Sequence, residues 1–173
     1  KGLRMANPEH VEIVRKGAAE IAKWRDAHPE ERLDLAGADL SNAELSRADL
    51  RGAILSLADL HQTNLSGANL RNADLRGANL SDSNLRGAEF ANANLFSADL
   101  SNANVSVVGL GGVNLRRANL SGADLGASVA AFTMFADVDL SQVRGLEKVE
   151  HAWTSTVGVD TLIRSKGRIP KSF

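Results

Sequence analysis

The side chains in this sequence that could do chemistry are four histidines, many carboxylates and a series of serines. Histidine holds metal ions or transfers protons, and beside a serine and a carboxylate it can activate a nucleophile. His10, His28, His61 and His151 are far apart in the chain, and their spacing matches no metal-binding motif. The serines form no recognisable hydrolase motif with them. We therefore predict no enzyme activity and no catalytic, cofactor-binding or metal-binding residue.

The overall composition limits the function further. The chain has 173 residues, a formal net charge of −1, no cysteine and no tyrosine. A nearly neutral chain argues against direct nucleic-acid binding, which requires a basic surface. The sequence has no apolar run long enough to span a bilayer and no secretory signal. These features predict a cytoplasmic protein that does not bind membranes.

The N-terminal part has the pattern of an amphipathic helix over residues 7–27. Asn7 is a good N-cap, Pro8 suits the first helical position, and His28-Pro29 should end the helix. We assign residues 7–32 to an N-terminal capping helix. Residues 1–6 are interpreted as a tag remnant or leader, because Met5 follows four residues that resemble vector sequence.

A different pattern begins after this helix, with a leucine-type residue at every fifth position from Leu35 to Leu140. A small residue, usually alanine, lies two positions before each leucine, and the residue between them is mostly Asp or Asn. Apolar–polar–apolar is the pattern of a short extended segment with two side chains inward and one outward. The other two positions are rich in Gly, Asn, Ser and Arg, and Gly and Asn suit tight turns. Each five-residue unit is therefore predicted to be an extended piece followed by a corner.

The A(D/N)LXX motif, repeated without interruption, resembles the pentapeptide-repeat family over about two thirds of the chain. The resemblance implies an all-β fold, a right-handed quadrilateral β-helix in which four units make one coil. Residues 33–142 would then form about five and a half coils, with strands stacked at ~4.8 Å. Residues 143–173 are assigned to a short, partly helical C-terminal cap. Asp160 would be the N-cap of a helix that ends near Gly167.

Residues 20 apart would stack in one column of such a rod. One column carries mostly carboxylates and comprises Asp39, Asp59, Asn79, Asp99, Asn119 and Asp139. The column could be an acidic strip that mimics a phosphate backbone, or a polar ladder bonded to the amides of the corners. Repulsion between the first two aspartates would raise a pKa.

A second column carries an aromatic residue between two cations. Arg76, Phe96 and Arg116 occupy equivalent corner positions, so that a guanidinium could lie on each face of the ring. Ile54 and Leu57 fall on the same side one coil earlier. These five residues are predicted to form a partner surface, or a strip covered by the protein's own tail.

Apolar residues also appear at outward positions near the end of the array. Val129, Phe132 and Met134 are interpreted as contacts of the C-terminal cap or of a dimer. We therefore predict either a monomer or a homodimer that forms through the C-terminal end.

Residues 145–149 and 158–167 after the repeats, and Asn7-Pro8-Glu9-His10 and Trp24-Arg25 before them, resemble the flanks of some bacterial, notably cyanobacterial, pentapeptide-repeat proteins. In such proteins the tail, near Ile169-Pro170, can lead into a TIR-type signalling domain. The resulting functional prediction is a non-catalytic structural or protein-interaction scaffold with an unknown protein partner, as a module of a larger signalling protein. The alternative is a DNA-mimicking, gyrase-binding protein of the fluoroquinolone-resistance type. Between Leu33 and Gln142 the chain has twelve acidic and seven basic residues, and this weak acidity argues against a DNA mimic.

Overall fold

The computed structural model of the chain describes residues 5–165 and shows helices at both ends of a long region of repeated turns. Lys1–Arg4 of the predicted tag remnant, Gly167 and Ile169-Pro170 lie outside the described residues. None of the described helices is long and apolar enough to cross a membrane. In chain order the elements are α1 (Pro8–Arg15), α2 (Ala18–Ala27), β1 (Val129–Ala130), β2 (Met134–Phe135), a 3-10 helix (Leu146–Lys148), β3 (Glu150–His151), β4 (Thr156–Val157) and α3 (Val159–Arg164).

The region between the end helices is a β-helix with a 20-residue coil. Isolated parallel bridges join the middle residue of each unit to the residue 20 positions later. Four such bridges, one per side, are made before the next coil begins; the first four are Asp34↔Ile54, Asp39↔Asp59, Glu44↔Asn64 and Asp49↔Asn69. Four five-residue units therefore form each coil, and consecutive coils lie directly on one another.

Each unit consists of a short extended segment and a tight turn. Leu35 N donates to Ile54 O at 2.8 Å, and Ile54 N donates to Leu33 O at 2.9 Å, which ties neighbouring coils together. Ala38 N donates to Leu35 O at 3.0 Å and closes the turn, in which Gly37 has a φ of 67°. Only the middle residue of each side is paired with both neighbouring coils. Each side is therefore a single β-bridge rather than a long strand.

The leucines and alanines of the repeat fill the interior of the coils. Leu75 and Leu80, for example, are completely buried, and burial stabilises each such leucine by about 1.5–3 kcal/mol. Polar residues replace alanine at a few inward positions, where their hydroxyl groups donate to main-chain oxygens. These bonds are Thr63 to Leu40 O, Ser83 to Leu80 O, Ser128 to Val105 O and Thr133 to Leu110 O.

The N-terminal cap contains two helices, and the prediction of one helix over residues 7–27 is wrong. Asn7 caps α1, as predicted, because its side chain accepts from Glu9 N at 3.0 Å. Gly17 then adopts a φ of 92°, which a right-handed helix cannot contain, so the chain turns before α2. α2 ends at Ala27, immediately before the predicted stop at His28-Pro29.

These two helices cover the open edge of the first coil. The first coil has no coil beneath it, so main-chain groups of its middle residues need other hydrogen-bond partners. α1, α2 and the residue that caps α1 supply them on three of the four sides. The bonds are Asn7 N to Asp34 O, Asp34 N to His10 Nδ1, Arg15 to Asp39 O and Arg25 to Asp49 O. Val14, Ile21 and Trp24 are buried against the leucines at the same edge.

The parallel stacking continues past residue 142, where the sequence analysis placed the start of the C-terminal cap. The register widens there, because β1 pairs with β3 at 21 residues (Val129↔Glu150) and β2 pairs with β4 at 22 residues (Met134↔Thr156). The additional residues are taken up between the paired segments, where the 3-10 helix lies. Asp160 lies inside the first turn of α3 rather than at the predicted N-cap.

Two buried hydroxyl groups end the coil at its C-terminal edge. Val138 N donates to Thr161 Oγ1 at 3.1 Å, and Leu140 N donates to Ser165 Oγ at 2.9 Å. Thr161 also donates to Phe135 O at 2.8 Å. Side-chain groups therefore take the place of a further coil at this end, as they do at the N-terminal end.

The assignment of the leucines to the interior of the coils can be tested with two aspartate substitutions, one at an inward position and one at an outward position. Leu75→Asp would bury an uncompensated carboxylate and should prevent folding. Leu57→Asp carries the same change at a position that is 57% exposed and should change the free energy of unfolding by less than about 1 kcal/mol. Urea unfolding followed by circular dichroism measures both. A soluble Leu75→Asp protein that unfolds cooperatively would show that the inward assignment is wrong.

Candidate interaction surfaces

The structure brings together the five residues of the predicted partner surface. Leu57 N donates to Arg76 O at 2.9 Å, Gly77 N to Phe96 O at 2.9 Å, and Ser97 N to Arg116 O at 3.0 Å. The corners at 36–37, 56–57, 76–77, 96–97, 116–117 and 136–137 therefore form one vertical row, which we call the Phe96 corner. Ile54 lies on the side that leads into this corner and is half-buried.

Leu57 is the most exposed apolar side chain of the Phe96 corner. Its φ is 60°, a conformation that glycine and asparagine adopt more easily than leucine. The side chain leans over Gly77, where a Cβ atom would lie only 2.9 Å from Leu57 Cδ2. Phe96, two coils beyond Leu57, is half-buried. The corner thus presents apolar groups separated by a position that has no side chain.

The predicted stacking of Arg76 and Arg116 on the two faces of Phe96 is wrong. The guanidinium over the ring belongs to Arg117, with its Cζ atom 5.8 Å from the ring centroid. Arg76 instead donates two hydrogen bonds, each of 2.7 Å, to the carboxylate of Asp74 in its own unit. A carboxylate two residues away offers a charged partner at little cost in side-chain entropy, so it competes successfully with the more distant ring.

The acidic column has the structure of a local polar ladder. The side-chain oxygen of each Asp or Asn accepts a hydrogen bond from the main-chain N–H two residues later. The pairs in this column are Asp39 with Ser41, Asp59 with His61, Asn79 with Ser81, Asp99 with Ser101, Asn119 with Ser121 and Asp139 with Ser141. Between coils, Asn79 donates to Asp59 at 3.1 Å and Asn119 donates to Asp99 at 3.0 Å.

The expectation of a raised pKa at the start of this column is wrong. The hydroxyl and the main-chain N–H of Ser41 both donate to Asp39 and hold the pKa of that carboxyl below its ordinary value. Hydrogen bonds to the ionised form therefore keep Asp39 negatively charged at neutral pH.

The predicted C-terminal contact residues lie around one corner of the last regular coil. Val129 in β1 and Met134 in β2 are 36% and 41% exposed, and Phe132 at the corner between them is 61% exposed. Phe132 stacks on Trp153, with ring centroids 6.1 Å apart. The chain that follows the repeats thus pairs with the backbone of this coil, while these side chains still face solvent.

The structure also contains a serine, a histidine and an aspartate that the sequence analysis did not connect. His61 Nδ1 lies 3.1 Å from Ser81 Oγ and 3.8 Å from Asp82 Oδ2. The 20-residue register places His61 on Ser81 and would have identified the pair. In a catalytic triad the serine and the carboxylate contact different ring nitrogens, whereas here both face Nδ1, and Ser81 donates its proton to Asn79. This arrangement does not activate the serine.

No group of three or more histidine and acidic side chains within residues 5–165 is placed to hold a metal ion. The same region also has no buried side-chain nitrogen or oxygen atom without a hydrogen-bond partner.

Comparison with protein families gives one match. The sequence model of the family described as pentapeptide repeats matches residues 34–72, 73–106 and 110–144, with eight copies of its motif. No curated protein matches the chain.

Solved structures of pentapeptide repeat proteins are similar to this chain. HetL, from the cyanobacterium Nostoc sp. strain PCC 7120, is 31% identical over 74% of this chain and 55% of its own, with a TM-score of 0.42. This chain thus spans about half the length of HetL. The protein alr5209, from Nostoc PCC 7120, is 28% identical over 81% of this chain and 96% of its own, with a TM-score of 0.42. QnrB1, a plasmid-mediated fluoroquinolone resistance protein, is 18% identical over 70% of this chain and 73% of its own, with a TM-score of 0.39.

The pairing of Arg76 with Asp74 makes a prediction for pH titration. The hydrogen bonds from Arg76 lower the pKa of Asp74, while partial burial opposes them. A lowered pKa in the folded state means that the stabilisation is present above the unfolded pKa of about 3.9 and is lost as the pH falls through the folded pKa. Because the arginine is exposed, the pair contributes about 0.2–1 kcal/mol.

Replacing Arg76 by alanine should therefore move the pKa of Asp74 back toward its ordinary value. An NMR titration of the Asp74 side-chain carboxyl carbon measures this change directly. Arg116→Ala, on the same corner but two coils away, is the matched control and should leave the titration of Asp74 unaltered. An Asp74 titration that is the same in the wild type and in Arg76→Ala would contradict the assigned pairing.

Proposed function

The chain belongs to the pentapeptide-repeat family and has the right-handed β-helix of that family; from this premise we propose that it is a non-catalytic protein-interaction scaffold. Proteins of the family are generally structural rather than catalytic. The interior of the coils supports this proposal, since buried leucine and alanine side chains form one continuous hydrophobic core there.

One observation supports the proposal more than any other. Leu57, Val107 and Phe132 are exposed apolar residues at corner positions with φ values of 60°, 60° and 54°. At most other corners the same position holds glycine or asparagine, which adopt positive φ with less strain, and at the remaining corners it holds a polar residue or alanine. The positive φ of these positions disfavours a bulky apolar residue, and the exposure of the side chains means that they bury little apolar surface. Exposed apolar groups kept at a cost to the fold are typical of a surface that binds another molecule.

We assign partner binding to Ile54, Leu57, Arg76, Phe96 and Arg116. The C-terminal group Val129, Phe132 and Met134 remains a proposal of a cap contact or a homodimer contact, so the protein would be a monomer or a dimer through that end. A cytoplasmic location and a role as one module of a larger signalling protein complete the proposal.

The DNA-mimic alternative has weaker support. Its acidic column is diluted by Asn79 and Asn119, and its carboxylates are held in local hydrogen bonds. The repeat region also carries seven arginines. A duplex mimic requires a denser and more continuous negative charge than this side of the rod provides.

The scaffold function can be tested with a variant that removes the apolar groups and keeps the fold. Asparagine already occupies the positions of Ile54 and Leu57 in other units, as at Asn64 and Asn72. Ile54→Asn/Leu57→Asn should therefore fold normally but lose partner proteins that the immobilised wild-type chain retains from a lysate of the source organism.

Val107→Asn is the matched control, because Val107 is also exposed and has positive φ but lies on another corner. It should retain the partners that bind through Ile54 and Leu57. Retention of identical proteins by the double variant would contradict the assigned surface. Catalytic turnover by the purified chain that a point substitution abolishes would contradict a non-catalytic function.

A further inference from the structure

We infer that the Phe96 corner binds a basic amphipathic helix of a partner protein, which lies along the rod with its apolar face on the corner. This inference rests on the proposed scaffold function and specifies the chemistry of the partner. It combines an apolar strip of suitable length, a neighbouring acidic side, and a backbone that has no free edge along the rod.

The apolar strip begins in a groove between α1 and the first coil. The groove has a volume of about 540 Å³, and its lining includes the apolar residues Met5, Pro8 and Val11 as well as the charged residues Glu12, Arg15, Lys16 and Asp39. Met5 is 81% exposed although it lines this groove. An apolar groove with a largely exposed methionine is the type of surface to which amphipathic helices bind.

The strip continues from the groove along the Phe96 corner. Gly37 and Gly77 are the corner residues one coil before and one coil after Leu57, so the leucine projects between two positions without side chains. Larger side chains of a partner helix can enter on either side of it. Gly37 and Ser97 are three coils apart, which is about 14 Å at ~4.8 Å per coil and corresponds to about ten helical residues.

The side of the rod that follows this corner supplies the charge complementarity. Its outward positions in the first five coils are Asp39, Asp59, Asn79, Asp99 and Asn119. Neutral groups donate to the carboxylates, as when His61 N and Asn79 Nδ2 donate to Asp59. These bonds orient the carboxylates but do not cancel their charge. Lysine or arginine on one flank of a bound helix would therefore face the carboxylates of Asp39, Asp59 and Asp99.

Most of the cations close to the strip are already engaged within the protein, although Arg116 at its far end is exposed. Arg76 is paired with Asp74 at 2.7 Å, Arg117 with Asp137 at 3.0 Å, and Lys16 with Glu12 at 2.8 Å. Asp59 and Asp99 accept hydrogen bonds from neutral groups and are therefore available to cations of a partner.

The backbone of the rod favours a helix over an extended partner. Along the sides of the described rod, main-chain N–H and C=O groups are used between coils, and α1, α2, α3 and Ser165 bond to main-chain groups of the two end coils. Within residues 5–165 a partner strand therefore finds no free edge along the sides to which it could add. A helix satisfies its own backbone and needs only side-chain contacts, which this surface provides.

Binding of a defined peptide to the intact chain tests this inference. The probe is a 14-residue peptide of leucine and lysine designed as an amphipathic helix, labelled for fluorescence anisotropy. Controls are a peptide of the same composition with its amphipathic order scrambled and one with glutamate in place of lysine. We expect saturable binding of the basic helix and at least about tenfold weaker binding of both controls.

Variants of the chain locate the binding site. Ile54→Asn/Leu57→Asn should weaken binding of the basic helix at least about tenfold. Asp59→Asn should weaken it about two- to fivefold and reduce its salt dependence, because one screened charge is lost. Val107→Asn should bind as the wild type does. Equal binding of the scrambled peptide, or an unchanged affinity in the Ile54/Leu57 variant, would overturn the inference.

The peptide experiment is separable from the test of the scaffold function. If the wild-type chain retains lysate proteins through Ile54 and Leu57 but does not bind the basic helix, the scaffold function stands and the inferred partner chemistry is wrong. If the double variant retains the same lysate proteins and still binds the peptide, both the assigned surface and the inference are overturned.

Discussion

The 20-residue register of the backbone hydrogen bonds is the constraint on which the rest of the structure depends. Within the array, most middle residues pair with the residue one coil above and the residue one coil below, as Ile54 does with Asp34 and Asp74. A shift by one residue would turn inward leucines outward along a whole side. The register therefore determines which positions must be apolar, which must turn, and which are free to vary. Function can use only the last group without weakening the coil.

The same register determines how the rod must end. A β-helix exposes main-chain groups at its first and last coils, and these groups must be satisfied without a further coil. At the N-terminal edge His10, Arg15 and Arg25 provide the hydrogen bonds, and at the C-terminal edge Thr161 and Ser165 provide them. Long or hydroxyl-bearing side chains perform this task because they can reach main-chain groups that another backbone would otherwise pair. With the ends covered, the sides and corners of the rod are the surfaces available to partners.

Much of this architecture follows from the sequence, because a five-residue period has a direct structural meaning. The inward leucines, the turns and the polar ladder at Asp59 and Asn79 were all predictable. The break at Gly17 was missed because the apolar pattern of a helix continues across it. The contact of Arg117 with Phe96 was missed because a long side chain can reach several nearby partners. The backbone register alone does not determine which of these partners it contacts.

The C-terminal region shows a further limit of sequence patterns. After Arg144 the spacing between paired residues grows from 20 to 21 and then to 22, and no five-residue signal marks the added residues. Backbone pairing can continue without a repeated sequence when the one or two additional residues lie in the corners between the paired segments. Similarly, the proximity of His61 and Ser81 becomes visible only when residues 20 apart are compared.

The central claim is that exposed apolar residues at the corners serve binding rather than folding. The most direct test is the free energy of unfolding of Leu57→Asn and Val107→Asn, measured by urea denaturation. Asparagine relieves the strain of positive φ and removes little buried apolar surface, so each variant should be within about 1 kcal/mol of the wild type or more stable. A loss of more than about 2 kcal/mol in each variant would contradict the claim, since it would show that these side chains hold the coil together.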